Sequence, residues 1–429
     1  MKFKLKILYY CLKIIFLPRF KSQEALRVFQ AKKMTHFAKK TLTKSKYYQR
    51  FFSKNELNWE EVPQISKKEF MHSFDDINTV GIKLDEAMKV ALKAELTRDF
   101  KSEINNITVG LSTGTSGKRA LFLVSESERA QWVALVISRV IKPQLFKKQK
   151  VAFFLRANNN LYTSINSPLF EFKYFDIFRP LTELLQELNH YQPDILASQP
   201  SILLDIALAQ KNCTILINPI QVISFAEVLH QNDKQTISTI FGVNITEVYQ
   251  CTEGFLGSSC KYGTMHLNED FICFEKEWID ENKFYPIITD FSRTSQPVVK
   301  YKLNDILEIK KNKCACGSKL LAIEKIIGRE NDVLIFNQIK IYPDLIARRI
   351  SLFTDSFMKY TITQNHSNQL LINVQCLEED WIETKANFKI GIESILRDFE
   401  VKDIELIFLN NLEEIVGNKN RKIISLVTQ

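Results

Sequence analysis

Between Ser125 and Tyr249 the chain alternates short β-prone runs with helical ones, and this alternation restricts the fold more than any other feature. The strand candidates are Val151-Ala-Phe-Phe-Leu155, residues 172–178, Ile195-Leu-Ala197, residues 221–225 and residues 245–249. Residues 181–188 and 201–210 read as helices among them. Ser125 and Glu128 have the spacing of a capping box, so a further helix opens there and runs to about Ile141, ahead of Pro143. Strands alternating with helices predict an α/β protein with a largely parallel sheet. In such sheets ligands gather at the carboxyl ends of strands. The run 245–249 delivers a polar loop, Gln250-Cys-Thr-Glu-Gly254, at such an end.

A second polar stretch precedes the alternating region. Leu111-Ser-Thr-Gly-Thr-Ser-Gly-Lys118-Arg119 holds two glycines and four hydroxyls between two apolar runs. Glycine admits close backbone approach, N–H groups and hydroxyls donate hydrogen bonds, and Lys118 adds charge, which together suit phosphate oxygens. It is not the loop of the P-loop enzymes: only two residues separate Gly114 from Gly117, and Arg119 follows Lys118. On its residues alone it reads equally well as a Gly/Ser turn between strands.

At 429 residues the chain exceeds one ordinary core. Residues 22–46 form a long basic amphipathic helix, and a second helix follows Ser66. The pattern from 264 to 310 is hairpin-like. After Ile327-Gly-Arg-Glu-Asn-Asp332 comes a helix beyond Pro343, a hairpin over 360–374, a helix over 386–399 and a strand over 404–409. The expected division is an N-terminal segment (1–21), a large multi-layer α/β domain (22–329) and a small, mobile α+β domain (330–429), with a hinge near residues 329–331.

Charge is concentrated at the start. Residues 1–50 hold fourteen Lys/Arg against the single acid Glu24, whereas the rest holds 44 basic and 48 acidic residues. A nearly neutral body disfavours nucleic acid as a partner. Residues 1–20 alternate lysines with apolar runs, but Lys13 interrupts them and no small-residue cleavage site follows, so they do not make a signal peptide. Two readings stand: an amphipathic segment facing an anionic membrane, or a helix packed on the body with a solvated basic face. No apolar run reaches the ~20 residues of a membrane span. The expected setting is cytoplasmic, with peripheral membrane association on the first reading. The eight cysteines are then free rather than paired. Cys11, Cys213, Cys251 and Cys376 lie in apolar or strand-like runs and read as buried.

Five motifs, in order and spacing, resemble the adenylate-forming superfamily: residues 112–119, 249–254, 301–305, 328–332 and 417–422. The likeness runs from about residue 25 onward and is closest to the phenylacetate–CoA ligase-like branch and the related synthetase that adenylylates a deazaflavin coenzyme. It implies that a carboxylic acid attacks the α-phosphate of ATP and that the acyl group then passes to a thiol such as coenzyme A. On that resemblance Ser112, Thr113, Gly114, Thr115, Ser116, Gly117 and Lys118 cradle the β- and γ-phosphates. Tyr249 lies against adenine, Thr252 near the α-phosphate, and Glu253 holds Mg²⁺, a hard cation suited to carboxylate. Asp305 accepts the ribose hydroxyls and Arg329 adds a ribose or phosphate contact. Lys419, in Val416-Gly-Asn-Lys-Asn-Arg-Lys-Ile423, supplies charge to the transition state, with Lys422 three residues away. Leu303-Asn304 departs from the Thr-Gly pair common before the aspartate. Two other readings are AMP transfer to a hydroxyl-bearing acceptor, and an inactive membrane-associated acyl-binding or scaffold protein.

Cys314-Ala-Cys316 is a tight thiolate pair, and Cys260 and His266 lie six residues apart upstream. Three cysteines and one histidine make a closed set suited to structural Zn²⁺, which would staple the region 260–316. The phenylacetate–CoA ligase-like branch carries a similar arrangement. The alternative is a hairpin histidine beside free thiols. Residues 170–178 are aromatic-rich and read as core rather than as an acyl pocket.

Overall fold

The computed structural model describes residues 3–16, 20–97, 102–111, 119–141, 147–155, 169–350, 352–354, 357, 359–410 and 422–427. The glycine loop Ser112 to Lys118, Asn158 to Asn160 and Lys419 lie outside these residues.

Helix α1 (Phe3–Ile15) lies along a helix more than a hundred residues later, and α2 (Gln23–Lys40) packs through Leu26 and Phe37. The basic helix expected over 22–46 stops at Lys40. A 3₁₀ turn over Leu42–Lys44 follows, because Leu42 and Tyr48 turn inward and are fully covered. Helix α3 (Lys67–His72) opens with a capping box between Ser66 and Glu69. Helix α4 (Leu84–Thr97) covers a three-stranded sheet of β1 (Glu103–Ile104), β2 (Ile107–Leu111) and β3 (Leu121–Ser125). Leu111 pairs with Leu121, so the two ends of the glycine loop are anchored side by side. A side chain at Gly110 would strike the ring of Phe122.

Helix α5 (Glu126–Arg139) starts from the expected capping box: the Ser125 amide donates to Glu128 Oε2 at 2.7 Å. Strands β4 (Gln149–Leu155), β5 (Phe170–Asp176), β6 (Ile195–Ser198), β7 (Gln221–Phe225) and β8 (Ile245–Cys251) then form a parallel half-sheet in the order β5-β4-β6-β7-β8. Both faces of this half are covered. Ala152 and Phe154 meet Leu188, Leu203 and Phe241 from α6 (Leu181–Tyr191), α7 (Pro200–Lys211) and α8 (Gln231–Phe241). Val151 and Phe153 meet Val133 and Leu135 of α5. Successive side chains on a strand point to opposite faces, so a strand buried on both sides reads as an unbroken apolar run.

The sheet continues as an antiparallel half. Strands β9 (Gly254–Ser259), β10 (Met265–Leu267), β11 (Ile272–Trp278), β12 (Lys283–Asp290), β13 (Val298–Lys302), β14 (Asp305–Ile309) and β15 (Ala322–Arg329) extend it in the order β8-β9-β10-β15-β14-β12-β11, with β13 on β12. The loop expected at 250–254 is narrower than the residues suggested. Gln250 and Cys251 remain in β8 and pair with Phe255 and Gly254, leaving only Thr252 and Glu253 to turn, because β9 offers the partners that a polar strand end needs.

Residues 334–425 have their own sheet and apolar cluster. The hairpin β16 (Leu334–Phe336) and β17 (Ile339–Ile341) leads into α9 (Pro343–Ile350). Strands β18 (Lys359–His366), β19 (Gln369–Gln375), β20 (Glu405–Leu409) and β21 (Ile423–Ser425) order as β20-β19-β18-β21, with α10 (Trp381–Asp398) packing Phe388 and Ile392 on Ile362 and Ile372. Every second residue of β18 is buried, as a sheet covered on one face requires. Two ion pairs join this unit to the larger one, Lys359–Asp205 at 3.1 Å and Lys422–Asp233 at 2.8 Å.

Of the cysteines read as buried, Cys376 is so and Cys11 and Cys251 are half-buried. Cys213 is exposed with φ 57°, because residues 213–218 form no strand and the thiol sits in the turn leaving α7.

Candidate active site

Three strand ends converge beside the β8–β9 turn. Strand β14 begins at Asp305 and β15 ends at Arg329, and their antiparallel register sets these residues opposite each other. Arg329 Nε lies 3.4 Å from Asp305 Oδ1. From β8, the Tyr249 hydroxyl donates to Asp305 Oδ2 at 2.8 Å. Burial, then the nearby Asp305 charge, pushes the Tyr249 phenol well above its usual range, so it stays a neutral donor. The Leu303-Asn304 departure is absorbed without loss of the loop: Leu303 is buried in the core, and the Asn304 carbonyl accepts from the Glu330 amide at 2.8 Å. Next to Arg329, Gly328 has φ 147°, a backbone conformation that favours glycine.

Glu253 occupies the turn itself. The Tyr301 hydroxyl donates to its Oε1 at 2.8 Å, and burial with the Glu253 charge holds that phenol protonated. Lys67, at the start of α3, faces the same place: burial lowers its pKa, Glu253 opposes that shift and Arg329 adds to it. Nothing in the sequence around Lys67 signals this position. It arises because Ile65 pairs with the backbone of Lys300 and Lys302, which carries α3 to a strand over two hundred residues away.

Two cavities meet here. The larger, about 340 Å³, lies between α5 and the sheet and is walled by Trp132, Leu135, Val136, Phe153, Phe172 and Phe225. Leu111 and Arg119, the anchors of the glycine loop, also line it, as does Thr252. Phe172 therefore serves both core and cavity, while Phe175 is core alone. The smaller, about 120 Å³, is polar at its rim: Tyr249, Asp305, Arg329, Asp332 and, from the C-terminal unit, Lys422. Gln250 and Cys251 belong to both walls. Burial and the adjacent Glu253 push the Cys251 thiol well above its usual range, so it is no thiolate nucleophile.

The larger cavity is not purely apolar. Buried Arg293 donates to the Glu253 carbonyl at 3.4 Å and to that of Leu123 at 3.2 Å. Asp290 accepts from the Ser292 amide at 2.8 Å and its hydroxyl at 2.6 Å, yet burial raises its carboxyl to about 6. Neither residue carried a motif. Both stand out only once β12 brings them under Gly254.

A separate cluster forms nearby. One ligand-capable atom each from Cys260, His266, Cys314 and Cys316 lies within 4.8 Å of the others. Cys260 Sγ is 3.6 Å from Cys314 Sγ, and Cys316 Sγ is 3.3 Å from His266 Nε2. Zinc–sulfur and zinc–nitrogen bonds of roughly 2.3 and 2.0 Å in a tetrahedron give edges of this size. His266 Nδ1 lies 3.1 Å from the Leu320 carbonyl, and donation there leaves Nε2 free as a ligand. Burial opposes thiolate at Cys314, but hydrogen bonds from Thr264, the Cys316 amide and His266 outweigh it and hold the thiol down to about 6.

No known family profile matches the chain. Protein CapK of Staphylococcus aureus is 21% identical over 392 residues, covering 87% of this chain and 86% of that one. Among solved structures, 2-hydroxyisobutyryl-CoA ligase in the postadenylation state with R3-HIB-AMP superposes with a TM-score of 0.69 at 15% identity, covering 96% of this chain and 94% of its own. The same ligase with 2-HIB-AMP and CoA in the thioesterification state gives 0.54 at 16% identity, covering 95% and 91%. The anthranilate CoA ligase AuaEII with anthranoyl-AMP gives 0.54 at 12% identity, covering 73% and 66%. The chain thus has the α/β fold of adenylate-forming acyl-CoA ligases.

Proposed function

We propose that this protein is an ATP-dependent ligase that activates a carboxylic acid as its acyl-adenylate and passes the acyl group to a thiol such as coenzyme A. One observation carries this reading: a mostly apolar cavity and one lined by the charged side chains of Asp305, Arg329, Asp332 and Lys422 share a wall at Gln250 and Cys251, beside the Thr252–Glu253 turn. An acid in the first and a nucleotide in the second bring carboxylate and α-phosphate together at that wall. In this reading Tyr249 lies against the adenine, Asp305 accepts the ribose hydroxyls in place of Tyr249 and Arg329, and Arg329 contacts ribose or phosphate. Thr252 lies near the α-phosphate. The loop Ser112, Thr113, Gly114, Thr115, Ser116, Gly117 and Lys118 clamps the β- and γ-phosphates from the hairpin that ends at Leu111 and Leu121. Glu253 fits Mg²⁺ as a carboxylate held at the turn by the Tyr301 hydroxyl and the neighbouring Cys251 thiol.

A carboxylate oxygen attacks the α-phosphorus, the bond to the bridging oxygen breaks, and pyrophosphate leaves. Two anions must approach, so cations lower the barrier: Lys118, Arg329 and Lys419, with Lys67 beside Glu253. The thiol sulfur then attacks the acyl carbon, releasing AMP and a proton. The small domain, residues 330–429, rotates between the two half-reactions on a hinge at 329–331. The likeness favours the postadenylation form of 2-hydroxyisobutyryl-CoA ligase over its thioesterification form, which supports an arrangement on the adenylation side. The apolar lining of the larger cavity suits an aryl or aliphatic acid.

Cys260, His266, Cys314 and Cys316 hold a structural Zn²⁺. Cys260 follows the strand that leaves Glu253, and Cys314 and Cys316 lie between the strands bearing Asp305 and Arg329. The metal therefore fixes the relative register of the site's three strand ends.

Pyrophosphate exchange into ATP, measured across aryl and fatty acids, tests the reading. Acid-dependent exchange followed by thiol-dependent AMP release is expected. An AMP-linked product on a hydroxyl acceptor, formed without coenzyme A, refutes the thiol assignment, and no exchange with any acid refutes the activity.

A further inference from the structure

We propose that the outer face of α1 docks the protein on an anionic lipid surface. Helix α1 is apolar on two sides. Its inner side, Phe3, Ile7, Tyr10 and Ile14, rests on α5: the Arg129 guanidinium covers the Phe3 ring at 5.0 Å, Tyr10 Oη meets Ser127 Oγ at 2.7 Å, and Lys6 pairs with Glu126 at 2.7 Å. Its outer side carries Leu5, Leu8, Tyr9, Leu12 and Ile15, with Phe16 just past its end, from 47% to 79% exposed. A folded protein rarely leaves a contiguous stripe of this kind in water without a partner.

The surrounding charge identifies the partner. Lys4 and Lys13 flank the stripe and are exposed. Burial, then the like charge of Lys13, lowers the pKa of Lys33 on α2. Lys6 is neutralised by Glu126, and Glu24 is the only acid within residues 1–50. A stripe of leucines and aromatics rimmed by unneutralised lysines fits the headgroup–acyl boundary of an anionic bilayer. It does not fit a crossing: among the described residues no helix is long and apolar enough to span a membrane. The 13-residue helix, roughly 20 Å long, lies in the plane of the surface. Neither sequence reading anticipated this arrangement, in which the helix is packed on the body and still presents an apolar face outward. Its support, α5, also walls the larger cavity through Trp132, Leu135 and Val136, so the docked face sits one helix away from that cavity.

Flotation of the full chain with phosphatidylcholine–phosphatidylglycerol vesicles tests the proposal, without nucleotide, so the outcome is independent of the ligase reading. The protein should float with these vesicles, less so as salt rises, and bind pure phosphatidylcholine at least about ten-fold more weakly. Leu8→Glu with Leu12→Glu, and separately Lys4→Glu with Lys13→Glu, should each lower binding about ten-fold with an unchanged thermal midpoint, because these side chains point away from α5. Leu352→Glu, on the C-terminal unit, should leave binding unchanged. The proposal fails if the wild type stays unbound on anionic vesicles, or if Leu8→Glu with Leu12→Glu floats like the wild type. It also fails if sedimentation velocity finds a dimer that this variant splits while no lipid is bound, for then a second copy covers the stripe.

Discussion

The two cavities that share the Gln250–Cys251 wall are built in opposite ways. The larger is made mostly by packing: side chains of α5 and of the parallel half-sheet leave a space whose walls are the core's own aromatic and aliphatic groups. The smaller is shaped by hydrogen bonds and charge, with Tyr249, Asp305 and Arg329 drawn from three strand ends and Lys422 from the C-terminal region that has its own sheet. Packing tolerates exchange of one apolar residue for another of similar volume, whereas a buried polar set fails when one member is lost. On the proposed ligase function, selectivity for the acid should therefore be adjustable, and the nucleotide chemistry should not.

The largest effect should come from the polar side. Asp305→Ala removes the acceptor of the Tyr249 hydroxyl and one ion-pair partner of Arg329, and should lower kcat/KM for ATP by about a hundred-fold or more in pyrophosphate exchange. Lys419→Ala should abolish adenylate formation, by about a thousand-fold, while equilibrium binding of ATP stays largely intact. Near-normal exchange in either variant would remove that residue from the site. Next in size, elemental analysis should find about one zinc per chain, lost in Cys314→Ser together with a fall in the thermal midpoint. A metal-free native protein would leave the four side chains a thiol–histidine cluster and nothing more.

On the apolar side the effects should be graded. Val136→Trp intrudes into the larger cavity, and should raise KM for the bulkier acids about ten-fold while KM for ATP is unchanged. Equal changes for both substrates would mean that the two cavities are not functionally separate. The smallest effect concerns Asp290, whose buried carboxyl titrates at about 6, above its ordinary value of 3.8. The folded state then binds its proton more tightly than the unfolded state does. This contribution is fully present below about pH 4 and lost as pH rises through about 6, by something on the order of 1–3 kcal/mol. Thermal melts of Asp290→Asn should lack that slope between about pH 4 and 6, and an identical slope would assign it to another group.

The capping box at Ser125, the helix after Ser66, the strand at Ile195 and the hairpin over 360–374 were legible because each depends on neighbours within a few residues. So was the grouping of Cys260, His266, Cys314 and Cys316, since few other functions call for those four side chains together. Asp305 and Arg329 were singled out separately by the resemblance; that they meet is due to the β14–β15 register, which no local pattern encodes. Lys67, Asp290 and Arg293 gave no signal at all, because a lysine at a helix start or an aspartate at a strand end is ordinarily solvated. Cys213 misled for the complementary reason: apolar neighbours suggest burial, and only the path of the chain shows that the thiol faces water.

By itself, then, the sequence determined the α/β class, the positions of the parallel strands and of several helices, the asymmetric charge of the first fifty residues and the residue types available for chemistry. These follow from periodicity, capping and composition, which act over one or two turns of chain. Tertiary structure alone decided which strand ends meet, that the polar loop is a two-residue turn, that a mostly apolar cavity adjoins one lined by charged side chains, and that α1 is packed on one side and bare on the other. Those are matters of register and packing between segments far apart in the chain, where the deciding contacts are set by the whole sheet rather than by the residues that make them.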